Sequence, residues 1–318
     1  MSNFWSKLEK PFFVLAPMAD VTDAAFRRII CKYGKPDVFW TEFVSADGLA
    51  SPGREVLKLD LMYTEDERPI VAQLFSSHPD KMREASKLCA ELGFDGIDIN
   101  MGCPDKSIEK QGAGAAMMRN PKSAADIIQA VKDGIKDAGC DIPVSVKTRV
   151  GYNKVQIDEW IPFLISQGLD ALTIHARTRK EMSLVPARWE HVREVVEIRN
   201  KMGVATKILG NGDVRNMEEA RSRVEETGCD GVMLGRAIFG NPWLFSEKIP
   251  TIEEKLKVMV EHTKLFEELL GKHKNFAIMK KHYKAYVNGF DGAKELRVKL
   301  MEADSAREIE SMVKEFLD

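Results

Sequence analysis

The chain has no CxxC pair and no evenly spaced cysteine framework; Cys31, Cys89, Cys103, Cys140 and Cys229 are scattered along it. That pattern argues against a disulfide scaffold and against structural zinc, and it fits a reducing compartment. No apolar run approaches the length that crosses a membrane, and residues 1–10 are charged and amphipathic rather than leader-like. A cytoplasmic protein with no membrane partner and no metal is therefore expected. Internal repeats, low-complexity tracts and long linkers are also missing. With 44% hydrophobic and 30% charged residues and a net charge of −2, the composition is that of an ordinary globular protein, with no global excess of basic charge. An average can still hide a local basic face. One local absence matters here. From Lys272 to Lys284 there is no acid, while Lys272, Lys274, Lys280, Lys281 and Lys284 all fall within the run.

What the chain does have is a rhythm of short apolar runs, each followed by a helical stretch. The runs are 13–18, 38–43, 70–75, 96–100, 143–149, 171–175, 207–211 and 231–235. The helical stretches are 23–33, a turn near 52–59, 80–92, 123–137, 157–167, 189–200, 217–226 and a helix after Pro242. Continuous apolar runs suit strands buried on both faces of a parallel sheet. Eight such units over some 240 residues predict an α/β fold of the TIM (β/α)8 barrel type. The alternative, an open doubly wound sheet, lacks support. Gly112-Ala-Gly-Ala does not directly follow a strand, and Met117 stands where a third glycine belongs. After about Phe245 the strand rhythm stops. Residues 251–271, 275–288 and 303–318 read as amphipathic helices, with Gly289–Gly292 a turn between the second and third. The expected division is a barrel over 1–245 and a small helical domain over 246–318.

In such a barrel the chemistry sits at the C-terminal ends of the strands. Those ends carry Pro17–Met18, Glu42, Gln73, Asn100, Lys147 with Arg149, His175 with Arg177, Asn211-Gly212-Asp213, and Gly235-Arg236. Singly, each reads as easily as a solvated charge or a satisfied core residue; together they crowd one rim. Backbone N–H groups after strands 7 and 8, with Arg236 beside them, form the usual phosphate site of this fold. Gln73 and Asn100 can both donate and accept, as reading a heterocycle edge requires. Lys147 would face a ring that becomes anionic. Cys103 lies in the turn Gly102-Cys103-Pro104, and Gly112 and Gly114 beyond it supply joints for a movable loop. Alone, Cys103 reads equally as a buried packing residue. A flat heterocycle with a phosphate tail facing a thiol points to flavin mononucleotide (FMN).

These residues resemble the tRNA-dihydrouridine synthases. The pieces that carry the resemblance are Ala16-Pro-Met-Ala-Asp-Val-Thr-Asp-Ala-Ala-Phe-Arg27, Gln73, Asp98-Ile-Asn-Met-Gly-Cys-Pro104, Val146-Lys-Thr-Arg149, His175-Ala-Arg-Thr-Arg179, Asn211-Gly-Asp213 and Gly235-Arg-Ala-Ile-Phe-Gly-Asn-Pro242. Lys281-His-Tyr-Lys-Ala-Tyr-Val-Asn-Gly289 and Ala293-Lys-Glu-Leu-Arg297 are similar to the family's helical domain. The stretch Lys180–Trp189 departs from the family pattern, which places a glutamine and later a glycine there.

The resemblance implies an enzyme that reduces the C5=C6 bond of uridines in tRNA, using FMN recharged by NADPH. By position, Pro17, Met18, Gln73, Lys147, His175, Asn211, Gly212, Asp213, Gly235 and Arg236 would hold FMN. Asn100 would face the uracil, with Arg149 and Arg177 also on the substrate side, and Cys103 would be the proton donor. The acids Asp98 and Asp105, close to Cys103 in sequence, would oppose thiolate formation. Lys280, Lys281 and Lys284, on or beside one helix face with Tyr283 next to them for stacking, would contact tRNA. A monomer is expected. Two alternatives are a dihydroorotate-dehydrogenase-like barrel acting on a free pyrimidine, and a non-catalytic RNA-binding protein.

Overall fold

Eight parallel strands close on themselves. They are β1 (Phe12–Leu15), β2 (Phe39–Ser45), β3 (Ile70–Phe75), β4 (Gly96–Met101), β5 (Val144–Arg149), β6 (Ala171–His175), β7 (Lys207–Asn211) and β8 (Gly231–Leu234). The hydrogen-bonded order runs β1-β8-β7-β6-β5-β4-β3-β2, and a parallel bridge between Val14 and Val38 closes the ring. This computed structural model describes residues 3–318, so the first two residues of the N-terminal segment lie outside it. The expected TIM barrel is the observed fold.

Around the strands run α1 (Ala24–Gly34), the short α2 (Ala46–Leu49) and α3 (Arg54–Leu57), α4 (Pro79–Glu91), the short α5 (Lys106–Lys110), α6 (Pro121–Asp137), α7 (Ile157–Ser166), α8 (Glu190–Met202) and α9 (Met217–Thr227). They are followed by α10 (Ile252–Leu270), α11 (Ile278–Tyr286), α12 (Ala293–Glu302) and α13 (Ala306–Leu317). The local signals are ordinary. Asp23 caps α1 by accepting the Phe26 N–H at 2.9 Å, and Asn120 and then Pro121 open α6.

Two expectations are corrected. No helix follows Pro242 directly; the chain makes turns until Thr251 and Glu254 form a capping box that starts α10. The intervening turns are fixed by the barrel, with Ser246 Oγ donating to the Tyr33 carbonyl at 2.9 Å. The second correction is α12, where no helix was expected. Only Ala293, Leu296 and Leu300 of its residues are buried, so its apolar stripe is too thin to stand out among charged neighbours.

Alternate residues of each strand face the barrel axis. The lower part of that interior is apolar: Trp5 plugs the bottom against Phe12 and Trp40, with Val14, Val38, Val71, Leu209 and Met233 above. A second, larger core lies between strands and helices and runs without a break into α10–α13. At that junction Phe26 of α1 lies 4.7 Å from the His262 ring and 4.8 Å from the His282 ring. Burial holds both imidazoles below their ordinary pKa, and so neutral.

Gly240 marks the closest approach between the β8 loop and α11. Its φ is +67°, and a Cβ there would lie 2.2 Å from the Ala285 carbonyl oxygen. Gly240→Ala should therefore destabilise the protein by roughly 2–4 kcal/mol, through backbone strain and overpacking together. Urea unfolding measures this; a change below about 0.5 kcal/mol would mean the junction yields freely.

Candidate active site

The strand register gathers the polar residues. Gln73 pairs with Asp98, Asp98 with Ser145, Asn100 with Lys147, Arg149 with His175, and His175 with Asn211. All belong to the inward-facing alternation; Asn100, Lys147, Arg149, His175 and Asn211 lie toward the C-terminal end of the barrel, and Gln73, Asp98 and Ser145 lie deeper. A chain of hydrogen bonds starts at Asp98, which is fully buried. Its carboxylate accepts from Ser145 Oγ at 2.5 Å and from Gln73 Nε2 at 2.6 Å. Gln73 Oε1 accepts from Asn100 Nδ2 at 3.1 Å, and Asn100 Oδ1 accepts the N–H groups of Gly102 (3.1 Å) and Cys103 (2.9 Å). The two backbone donors fix which end of the Asn100 amide is oxygen, and this polarity propagates back to Asp98. Asn100 is thus first a turn-former that aims Cys103, with one Nδ2 hydrogen left for a ligand.

The loop beyond Cys103 is not the glycine-jointed lid expected from sequence. Gly112 (φ +81°) and Gly114 (φ +59°) are used as fixed turn positions, and a Cβ on Gly114 would sit 2.8 Å from the Cys103 carbonyl oxygen. That same oxygen accepts the Ala115 N–H at 2.9 Å. Asp105 caps α5, and Glu109 of α5 is gripped by Arg179 Nε at 2.8 and 2.9 Å. Arg149 Nε donates to the Gly102 carbonyl at 2.8 Å, while its Nη1 holds the carbonyls of Thr178 and Met182, both at 3.1 Å. Arg149 therefore clamps the thiol turn to the β6 loop, a role the sequence did not disclose.

Cys103 is half-buried, and burial is the main cause of its raised thiol pKa. Asp105 contributes both a lowering N–H and a raising charge. Asp98, expected to help, is turned into the barrel and engaged by Gln73 and Ser145. Either way the thiol keeps its proton at neutral pH.

Beside this turn lies a cavity of about 250 Å³, lined by Pro17, Met18, Lys147, His175, Arg177, Asn211, Gly212, Asp213, Gly235 and Arg236 among others. All the expected cofactor residues except Gln73 meet in it. Its character is cationic. Lys147, which reaches Asn211 Oδ1 at 3.3 Å, is pushed down to about 8, first by burial and then by the Arg149 charge. His175 is held well below its ordinary pKa by burial and by Arg149, Lys147, Arg177 and Arg236. It is neutral, and with Arg177 Nη1 at 3.1 Å from its Nε2, that nitrogen accepts and the proton resides on Nδ1.

The two glycines of the cavity differ. Gly212 has φ +129° and a Cβ there would meet the Ala187 Cβ at 2.8 Å, so the protein alone requires glycine. At Gly235 an added Cβ would meet protein only at 3.6 Å, yet it would project into the cavity. Asp213 does not offer its carboxylate to an anion. Oδ2 accepts from Arg177 and from the Ala187 N–H (2.8 Å), and Oδ1 accepts from Arg236 at 2.5 Å. Although burial opposes its charge, these donors hold its pKa below the ordinary value. Its part is to aim two arginines. Arg177, at 3% exposure, lines this cavity.

Lys280, Lys281 and Lys284 lie on α11, outside this cavity. Tyr283 is fully buried and is not a stacking platform, and Lys280 lies 3.7 Å from Asp304. Sequence reasoning missed Asp98 and Ser145 as members of the site. Their signal was there, as polar residues on the inward alternation of β4 and β5.

An eight-stranded barrel whose strand ends gather a cationic cavity and, on the β4 loop, a protonated thiol has the architecture of an α/β-barrel enzyme. The profile of the dihydrouridine synthase (Dus) family matches residues 14–318, and the chain belongs to that family. It is 40% identical over 320 residues to a probable tRNA-dihydrouridine synthase of Staphylococcus aureus (strain MRSA252), covering 99% of this chain and 95% of that one. It is also 40% identical over 320 residues to probable tRNA-dihydrouridine synthase 2 of Bacillus subtilis (strain 168), covering 99% and 96%. Among solved structures, DHODH of Eimeria tenella in complex with ferulenol superposes with a TM-score of 0.53 at 13% identity, over 80% of this chain and 81% of that one. Histamine dehydrogenase from Rhizobium sp. 4-9 gives 0.52 at 12% identity, over 80% and 48%. The two structural likenesses concern the fold alone.

Asp98 yields a stability prediction. Burial pushes its carboxyl up to about 6, against roughly 3.9 in an unfolded chain. The folded state then binds this proton more tightly, so its stability contribution declines as pH rises from about 4 to about 6. Asp98→Asn, which keeps an acceptor for Gln73, should gain stability relative to wild type across that window. Urea unfolding at several pH values tests it; parallel curves would show a carboxyl that titrates normally.

Proposed function

We propose that this chain reduces the C5=C6 bond of uridines in tRNA to give 5,6-dihydrouridine, with FMN as resident cofactor and NADPH as reductant. Membership of the dihydrouridine synthase family carries the reaction, and the cationic pocket beside Cys103 carries the cofactor. The pocket fits a flavin phosphate on its own terms: three cationic side chains (Lys147, Arg177 and Arg236), strand-end N–H groups, and a glycine at 235 whose missing Cβ leaves ligand space. Gln73 and Asn100 would meet the ring edge and Lys147 its polar end, and Asp213 would keep Arg177 and Arg236 aimed at the phosphate. Bound there, the reduced flavin would supply a hydride to C6 of the uracil and be recharged by NADPH.

The protein's own part is the proton. Hydride at C6 leaves negative charge at C5, and Cys103, kept protonated by burial, would deliver H⁺ to that carbon. The Asn100 turn and the Arg149 clamp would hold Sγ in position, because a misplaced acid loses much of its advantage. A uridine stacked in folded RNA must leave its stack to reach this mouth. The helical region 246–318 is proposed as the principal tRNA-holding part, with Lys280, Lys281 and Lys284 on the phosphate side. The rival acting on a free pyrimidine shares only the fold, as the 13% identity to DHODH indicates.

Cys103→Ala should leave FMN binding and NADPH-driven flavin reduction intact, while tRNA-dependent flavin oxidation falls about 10²–10⁴-fold. Rapid mixing of reduced protein with unmodified tRNA reads this directly. Undiminished oxidation would return Cys103 to a packing role, and a colourless protein that takes up no flavin would sink the cofactor assignment.

Changing Lys280, Lys281 and Lys284 together to Glu should weaken tRNA binding and flatten its salt dependence, by about 0.7–0.9 in log–log slope for each phosphate no longer engaged. FMN content should stay the same. Titrations at several salt concentrations decide it; matching slopes would place the RNA on the barrel rim alone.

A further inference from the structure

Lys274 belongs to the acid-free run 272–284, but its side chain turns back into the protein. It follows α10, where its N–H is bonded to the Leu270 carbonyl at 2.8 Å, and reaches the barrel rim. Its Nζ lies 2.8 Å from Glu42 Oε2 and 2.8 Å from Asp60 Oδ1. Glu42, in the middle of β2 where the register with β3 shifts, is 4% exposed. Its other oxygen, Oε1, accepts the N–H of Asp20 at 2.5 Å.

Asp20 is the apex of the turn Met18–Thr22. It has φ +53°, a left-handed conformation that a side-chain-bearing residue keeps only where neighbours fix it. The turn is closed by Met18 N–H to Thr22 Oγ1 (2.9 Å) and by the N–H groups of Val21 (3.1 Å) and Thr22 (3.0 Å) to the Met18 carbonyl. Pro17 and Met18 lead into this turn and line the anion cavity. Direct contacts therefore run from the α10–α11 connection, through two side chains, to the wall of the cavity.

We propose that Lys274 is a positioning residue for the cofactor pocket: by holding Glu42 under the Asp20 N–H, it fixes the Pro17–Met18 wall, so that seating of the helical region and completion of the pocket are one event. A buried carboxylate stripped of its cation is left uncompensated, and here it would loosen its hold on the turn. Burial already lifts Glu42 to about 7 against the opposing Lys274 charge, with the nearby acids Asp60 and Asp23 adding to the rise. The inference assigns Lys274 to protein rather than to RNA. It rests on the reading of Pro17 and Met18 as flavin contacts.

The test uses the full chain carrying Lys274→Met, Lys274→Arg, Glu42→Gln and the double variant Lys274→Met/Glu42→Gln. FMN titration of apo-protein should show a dissociation constant raised roughly tenfold or more for Lys274→Met, largely restored by Lys274→Arg. The double variant should bind no worse than the weaker single, since the pair acts as a unit. Amide hydrogen exchange should quicken in the peptide spanning Met18–Thr22, whether or not flavin is present. The salt slope of tRNA binding should be unchanged. Wild-type FMN affinity and wild-type exchange in Lys274→Met would overturn the proposal, as would a slope reduced by about 0.9, which marks a phosphate contact. If the wild type binds no FMN, the flavin reading fails, and exchange at Met18–Thr22 still decides the strap. Should Lys274→Met not fold, Glu42→Gln carries the same two readouts: quickened exchange and weakened FMN binding support the strap, and wild-type values for both overturn it.

Discussion

The structure depends on one geometric constraint: in a closed parallel barrel every second residue of every strand must point at the axis. Eight strands therefore place eight short columns of side chains in a space with no solvent of its own. Here the lower part of that space is filled with Trp5, Phe12, Trp40 and aliphatic residues, which makes the barrel a solid. The middle receives Gln73, Asp98 and Ser145, and the upper part Asn100, Lys147, His175 and Asn211. Each of these polar groups has to find a partner, because burying one without a hydrogen bond is costly. The hydrogen-bonded chain from Ser145 to the Cys103 turn is the outcome.

The same constraint sorts charge. Cations collect at the ends of β5, β6 and β8; burial pushes Lys147 down to about 8 and, with the surrounding positive charge, keeps His175 beside them neutral. Asp213 is the local acid that arranges them, with two arginines on one carboxylate. The pocket thus presents donors in fixed directions rather than a diffuse positive field, and so needs less reorganisation when an anion arrives. On the neighbouring β4 loop the thiol of Cys103 is governed chiefly by burial, with Asp105, Lys147 and Arg149 acting less. One rim thereby holds a cationic cavity and a protonated thiol.

The strand–helix rhythm made the barrel legible, because the apolar runs 70–75, 171–175 and 207–211 are the strands β3, β6 and β7. The pocket was legible because strand ends in this fold converge. What escaped were features set by partners distant in sequence. Asp98 looked like a neighbour of Cys103, yet the pleat turns it toward Gln73 and Ser145. Tyr283 looked exposed beside lysines, yet α11 buries that face against the rest of the core. Lys274 looked like a solution-facing charge until the α10–α11 connection brought it to Glu42 and Asp60. Gly112 and Gly114 looked like hinges, whereas both are left-handed turn positions and Gly114 is packed tightly against Cys103. In each case residue type was informative and direction was not.

The half-buried, protonated state of Cys103 also bears on its survival. Peroxides and disulfides react with thiolate, and the oxidation ladder begins there. A thiol whose pKa burial raises spends little time as thiolate. The backbone clamp around Gly102 holds the turn in place, and all five cysteines are free, none of them joined to Cys103. The burial that keeps Cys103 protonated also makes it a poor target for oxidants, so a burst of oxidative stress would largely pass this thiol by.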